Sequence, residues 1–120
     1  MKLMIVDDHA DMRRVLKHIV SQSETEIEEF IECAHGEEAL SNYKTHKPDC
    51  VLMDIELKSM SGFQVVEEIY GEDPDAKIIM VTSYDTPTFR RKAKELHTEG
   101  FVCKDNLKEL NQLLLNISHQ

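Results

Sequence analysis

The chain has 120 residues, of which 41% are apolar, so it can bury the core of one domain and is too short for two. Its formal charge of −9 argues against direct nucleic-acid binding, because phosphate contacts need clustered Lys and Arg. The N-terminus lacks the apolar core and cleavage site of a signal peptide, and no run reaches the length of a membrane span. We therefore expect a cytoplasmic protein without membrane contact.

Five short apolar runs predict β-strands, and the segments after each of them predict helices. The strands are expected at residues 3–6, 29–34, 50–53, 77–81 and 100–103. The helices are expected at residues 11–20, 36–44, 61–70, 86–96 and 105–117. In the fourth helix Thr86 is the predicted cap, and Pro87 stands at the first helical position.

Apolar spacing also predicts which face of the first helix is buried. The predicted inner face consists of Met12, Val15, Leu16 and Ile19. The predicted solvent face carries Arg13, Arg14, Lys17 and His18. Alternating strands and helices with short connections indicate a doubly wound α/β domain, with a five-stranded parallel sheet and five helices. We expect a single domain over residues 1–120 and no output domain in this chain.

Polar residues follow the predicted strands. Asp7 and Asp8 follow the first strand, Asp54 the third, Thr82 the fourth and Lys104 the fifth. Because functional groups of such sheets collect beyond the carboxyl ends of the strands, these side chains are expected to lie together. Three partly desolvated carboxylates repel one another, and a magnesium ion, which prefers oxygen ligands, would offset that cost.

Asp54 is the best candidate for a nucleophile toward a phosphoryl group, with a metal neutralising charge on the transferred oxygens. Lys104 and Thr82 would supply the remaining donors. Taken singly, each of these residues is more often a helix cap, a turn residue or a solvated loop residue. Their common position at strand ends in one small domain favours the functional interpretation.

Cys33, Cys50 and Cys103 are odd in number, widely spaced and embedded in apolar runs. This pattern argues against a disulfide framework or a zinc cluster and predicts buried thiols. The six histidines lack convergent zinc-ligand spacing. Only His9 falls near the acidic residues, and we expect it in a loop or early helix at the rim of their pocket.

Motifs are distributed along the whole chain: Asp7-Asp8, His35-Gly36-Glu37-Glu38-Ala39-Leu40, Val51-Leu52-Met53-Asp54-Ile55, Met60-Ser61-Gly62, Thr82-Ser83, and Phe101 three residues before Lys104. Through these motifs the sequence resembles, from end to end, the response-regulator receiver family of two-component phosphorelays, which has a flavodoxin-like fold. The resemblance implies that Asp54 accepts a phosphoryl group from a phosphohistidine of a sensor histidine kinase or phosphotransfer protein. It also implies a regulatory domain that catalyses only its own phosphoryl transfer and dephosphorylation.

The resemblance further implies roles for the other site residues. Asp8 and Asp54 would bind magnesium with the backbone carbonyl of Glu56, and Asp7 would assist through water. Lys104 would pair with the phosphate. Thr82 would move toward the phosphate and Phe101 would turn inward behind it, which changes the face made by the fourth helix, fifth strand and fifth helix.

The sequence departs from the family pattern at a few positions. Lys58 replaces a frequent proline in the loop after the phosphoacceptor, which could loosen the loop and weaken metal affinity. His97 and Thr98 replace small residues after the fourth helix, where a left-handed non-glycine residue would carry strain. Asp105 follows Lys104 in place of another frequent proline and gives the last helix an acidic cap.

The predicted partner surface consists of Arg90, Arg91, Lys94 and Leu115. The basic residues cluster in the fourth helix of an acidic chain, and Leu115 lies opposite the apolar face of the last helix. The family resemblance implies that an output partner or a homodimer would bind there and that the first helix would receive the phosphodonor. A solvated helix face is the equally weighted alternative. Two other functions remain open, a phosphorylation-independent interaction module and a metal-dependent hydrolase.

Overall fold

The computed structural model describes residues 1–120 and alternates strands with helices. The strands are β1 (Lys2–Val6), β2 (Glu29–Cys33), β3 (Cys50–Met53), β4 (Ile78–Thr82) and β5 (Gly100–Cys103). The helices are α1 (Ala10–Ser21), α2 (Gly36–His46), α3 (Gly62–Glu72), α4 (Pro87–Glu95) and α5 (Glu109–Ser118). None of them is long and apolar enough to cross a membrane.

The strands form one parallel sheet in the order β2-β1-β3-β4-β5, which confirms the predicted doubly wound α/β architecture with five helices. The chain runs outward from β1 to β2 and then returns past β1 to β3. Strand order therefore reverses between β1 and β3, and loops diverge there at the carboxyl edge of the sheet. Val6 and Met53, which pair with each other in the sheet, end at this edge.

Helices cover both faces of the sheet, so strand side chains alternate between two separate cores. Met4 and Val6 of β1 face the core shared with α2, α3 and α4. Leu3 and Ile5 face the core shared with α1 and α5. Burial on both faces explains why the strands appear in the sequence as continuous apolar runs.

Two side chains that were predicted to be buried are not. Val15 was placed on the inner face of the first helix, but its side chain is 43% exposed. Helix α1 contacts the sheet through Leu16 and Val20, which lie one turn apart, and Val15 is rotated away from that line. Cys103 is half-buried rather than buried, because it ends the edge strand β5.

The sequence predicts the start of α4 correctly but not the start of α5. As predicted, Thr86 caps α4 by accepting a hydrogen bond from the Phe89 amide at 3.1 Å. His97, two residues after the end of α4, has a φ of 61° and so lies in the left-handed region that strains a non-glycine residue. The predicted helix at 105–117 instead begins with a 3-10 turn at Lys104–Asn106, and α5 starts later.

Gly62 fixes the loop between β3 and α3. A Cβ atom added at Gly62 would lie 1.9 Å from the carbonyl oxygen of Asp54. The Gly62 amide donates to the Ile55 carbonyl at 2.7 Å, and Glu56 and Ser61 form an isolated bridge across the loop. Only a residue without a side chain can approach the Asp54 backbone this closely.

Replacing Gly62 with alanine is expected to lower the free energy of unfolding by about 1–3 kcal/mol, because the methyl group displaces the Asp54 backbone. Gly71→Ala in the same helix is the matched control, since nothing lies within 4 Å of its added Cβ atom. That substitution should be neutral or stabilise by up to about 1 kcal/mol through helix propensity. Urea unfolding followed by circular dichroism measures both, and equal stability of the two variants would contradict the proposed contact.

Candidate functional site

The carboxyl ends of β1, β3, β4 and β5 bring the predicted site residues together. Asp7 and Asp54 each follow one of the paired residues Val6 and Met53, and the Asp54 amide donates to the Val6 carbonyl at 3.0 Å. The 3-10 turn after β5 directs Lys104 inward, where Nζ lies 2.9 Å from Asp7 Oδ2 and 3.5 Å from Asp54 Oδ2. These contacts bring Asp7, Asp54 and Lys104 together, as the sequence predicts for these three side chains.

Most of these groups are buried. The exposed fractions of Asp7 and Asp54 are 1% and 5%, and Thr82 is fully buried. Its hydroxyl oxygen accepts a hydrogen bond from the Tyr84 amide at 3.1 Å, while Tyr84 itself is exposed. Charged and hydroxyl groups in a confined, largely dry place interact more strongly than they would in water.

Burial raises the pKa of Asp54 to about 6. The Lys104 ammonium and a backbone hydrogen bond from Glu56 act in the opposite direction, while the carboxylate of Asp7 raises the pKa further. The raised value means that ionised Asp54 is costly without a cation beyond Lys104. A group that brings positive charge to this carboxylate would therefore bind favourably.

Asp8 provides the clearest sign that a cation fits here. Its Oδ1 atom is buried and accepts no hydrogen bond. An unsatisfied buried carboxylate oxygen is costly, and a hard divalent cation with oxygen ligands is the group that would satisfy it. The ligand atoms of Asp7, Asp8 and His9 lie within 4.8 Å of one another. The donor set at this edge thus fits a magnesium ion.

The remaining predicted residues surround this centre. The Glu56 side chain is exposed in the loop after Asp54. Phe101 is half-buried against α4, and the Arg90 guanidinium lies 4.7 Å from the centroid of its ring. Arg90 also forms two hydrogen bonds to Asp85, at 2.5 and 2.9 Å. Arg90 is therefore engaged within the domain rather than free for a partner.

The other residues of the predicted partner surface differ in exposure. Arg91 and Lys94 are exposed and form no ion pair within the chain. Leu115 is half-buried, so it presents less apolar surface than its position opposite the buried face of α5 suggested. Arg91 and Lys94 are the parts of this surface that are open to a partner.

Sequence reasoning missed one residue behind the site. Arg13 was predicted to face solvent, but its side chain is 16% exposed. It donates to the Asp7 carbonyl at 2.5 Å and to Glu32 at 3.0 Å. A long side chain can reach back over the end of a strand, and helical periodicity alone does not report that direction.

Comparison with known proteins agrees with this geometry. A family model described as the response regulator receiver domain matches residues 3–115. The chain belongs to this family. The chemotaxis protein CheY of Listeria monocytogenes is 40% identical to this receiver domain over 104 residues, covering 87% of this chain and 86% of that protein. CheY of Thermotoga maritima is 36% identical over 103 residues, covering 86% and 84%.

Solved structures share the fold of this receiver domain. A LuxR-family two-component response regulator from Aurantimonas sp. SI85-9A1 aligns with a TM-score of 0.85 at 28% identity, covering 99% of this chain and 86% of that one. The response regulator domain of Thermotoga maritima CheB gives 0.80 at 27% identity, covering 99% and 94%. The chain is thus a CheY-like regulatory domain of two-component systems.

The pKa of Asp54 leads to a stability prediction for the metal-free domain. Asp54→Asn should raise the free energy of unfolding at pH 7.5 by roughly 2–3 kcal/mol, because the amide avoids the cost of a buried charge. As pH falls from about 6 toward 3.8, the folded wild-type domain takes up a proton before the unfolded chain does, so its stability rises and the difference disappears.

Urea unfolding in chelator between pH 4 and pH 8 measures this difference. Asp75→Asn, which removes the same charge from an exposed position, is the matched control and should change stability little at any pH. A wild-type domain that is as stable as Asp54→Asn at pH 7.5 would contradict the raised pKa.

Proposed function

We propose that this receiver domain is a phosphorylation-dependent switch in which Asp54 accepts a phosphoryl group with the help of magnesium. The observation that carries the proposal is a buried carboxylate at the carboxyl edge of the sheet with a lysine ammonium 3.5 Å away and two further aspartates beside it. A nucleophile, a donor for phosphoryl oxygens and oxygen ligands for a metal are the parts that phosphoryl transfer needs.

Asp54 performs the chemical step. An oxygen of its carboxylate bonds to phosphorus as the bond between phosphorus and the donor's histidine nitrogen breaks. Asp8, Asp54 and the carbonyl of Glu56 would hold the magnesium ion, with Asp7 acting through water. When bound, the ion neutralises charge on the transferred phosphoryl oxygens.

Lys104 and Thr82 would respond to the charge that a phosphoryl group adds. In the unphosphorylated domain the Lys104 ammonium is held by Asp7 at 2.9 Å, already within reach of Asp54. A phosphoryl group adds roughly 1.5–2 negative charges and strong acceptor oxygens, which favour contacts with Lys104 and the Thr82 hydroxyl. Moving that hydroxyl breaks its hydrogen bond with the Tyr84 amide and so disturbs the start of the β4–α4 loop.

The signal then leaves through α4, β5 and α5. Inward rotation of Phe101 would move its ring away from the Arg90 guanidinium. The Arg90–Asp85 pair would then no longer be held against the ring. The exposed Arg91 and Lys94, with Leu115, would form the surface that binds an output partner or a second copy. The exposed part of α1 would receive the histidine kinase or phosphotransfer protein.

The phosphoryl switch is tested with acetyl phosphate and magnesium. Intact mass should show one phosphoryl adduct on the wild-type domain and none on Asp54→Asn. Lys104→Met should form the adduct much more slowly, by about 100-fold or more, because a charge that stabilises the transition state is lost. Lys108→Met, a nearby exposed lysine, is the matched control and should behave as wild type. Absence of a wild-type adduct would instead favour a phosphorylation-independent interaction module.

The coupling through Phe101 is tested with beryllofluoride, a phosphoryl mimic. Arg90→Ala should bind beryllofluoride roughly two- to five-fold more tightly than wild type, because the cation–π contact that favours the outward ring is removed. Arg91→Ala removes the same charge from the neighbouring position and should leave the affinity unchanged. Calorimetry in magnesium measures both, and equal affinities for the two variants would contradict a coupling role for Arg90.

A further inference from the structure

The His9 side chain lies against the acidic cluster in a position that the phosphoryl switch does not use. Its Nδ1 atom lies 3.1 Å from Asp8 Oδ1 and 3.3 Å from Asp7 Oδ1. His9 is the N-cap residue of α1, but its side chain makes no capping hydrogen bond. The imidazole is 70% exposed, so burial does not hold it there. The Nδ1 atom instead makes a hydrogen bond with Asp7 Oδ1, so the imidazole nitrogen is turned toward the acidic cluster.

Asp8 supplies an independent observation. Its side chain is 8% exposed, and Oδ1 accepts no hydrogen bond even though His9 Nδ1 lies 3.1 Å away. The two atoms thus lie at ion-pair distance without a hydrogen bond between them. Their separation matches that of two adjacent ligands of a six-coordinate ion, roughly 3 Å for bonds of about 2.1 Å.

We infer that His9 Nδ1 and Asp8 Oδ1 bind the same divalent ion, and that His9 makes this site favour a first-row transition metal such as Fe²⁺ or Co²⁺ over Mg²⁺. The inference rests on the proposed function, because it concerns the ion that Asp8 would hold there. Imidazole nitrogen suits transition metals, whereas Mg²⁺ prefers oxygen ligands and retains several waters. Replacing one water ligand by the His9 nitrogen therefore strengthens the binding of transition-metal ions and adds little to the binding of Mg²⁺.

The other charged groups near His9 are consistent with this assignment. Lys104 is bound to Asp7 Oδ2, on the carboxylate oxygen that does not face His9. Arg13 donates to the Asp7 backbone carbonyl rather than to a carboxylate oxygen of the cluster. Both cations therefore leave Asp8 Oδ1 and His9 Nδ1 to the metal.

The test compares Co²⁺ and Mg²⁺ binding by calorimetry, with each ion also competed against the other. His9→Ala should weaken Co²⁺ binding by at least about ten-fold, while Mg²⁺ binding changes by less than about three-fold. His35→Ala is the matched control, because His35 is likewise an exposed N-cap residue without a side-chain cap bond, at the start of α2. It should leave both affinities unchanged, and Asp8→Asn should abolish both.

Proton NMR of the Co²⁺-loaded domain gives a direct readout of the ligand. A coordinated imidazole should give a strongly shifted, exchangeable N–H resonance in wild type and in His35→Ala, and none in His9→Ala. Absence of that resonance from wild type, or an equal loss of both ions in His9→Ala, would overturn the inference and leave His9 as an ion-pair partner of the two aspartates.

These outcomes separate the inference from the proposed function. Asp8-dependent binding of both ions without a His9 effect overturns the nitrogen ligand and leaves the phosphoryl switch standing. A His9-dependent shifted resonance in a domain that forms no Asp54 adduct supports the nitrogen ligand and contradicts the switch. Absence of any Asp8-dependent metal binding overturns the inference together with the magnesium assignment.

Discussion

Crowding of negative charge at the carboxyl edge of the sheet is the constraint on which the rest of the site depends. Val6 and Met53 are paired in adjacent strands, so the residues that follow them, Asp7 and Asp54, leave the sheet side by side. Backbone pairing holds them there regardless of their repulsion. Burial, and after it the neighbouring carboxylates of Asp7 and Asp8, raise the pKa of Asp54, while Lys104 lies between Asp7 and Asp54 and acts in the opposite direction. The cluster is costly without further positive charge, which is what makes it responsive to a metal or a phosphoryl group.

Strand ends could be predicted from the sequence, but side-chain directions could not. Continuous apolar runs marked the strands, and parallel topology then placed Asp54, Thr82 and Lys104 at one edge without further information. Arg13 and Val15 were assigned to the wrong environments because the contact line of α1 is set by how the helix packs on the sheet. The sequence does not show that Asp8 Oδ1 lacks a hydrogen bond or that the Arg90 guanidinium packs over the Phe101 ring, because both depend on tertiary packing.

The basic cluster of α4 divides into two parts with different environments. Arg90 turns back to Asp85 and Phe101, whereas Arg91 and Lys94 point to solvent without an intramolecular partner. Helix α4 therefore carries both Arg90, which contacts the Phe101 ring that is expected to move, and the charges of Arg91 and Lys94, which are expected to contact a partner. Since a short helix moves largely as a rigid unit, displacing Arg90 would also displace Arg91. Charges that look equivalent in the sequence therefore lie in different environments in the fold.

The close approach of Gly62 to Asp54 has a consequence for how this domain can change during evolution. The loop between β3 and α3 is pinned at its ends, by Gly62 against the Asp54 backbone and by the bridge between Glu56 and Ser61. The exposed Lys58 lies between these two contacts. Because they already hold the loop, it does not need a rigid proline at this position. Exposed side chains along the loop can therefore be substituted while the Asp54 carboxylate keeps its place.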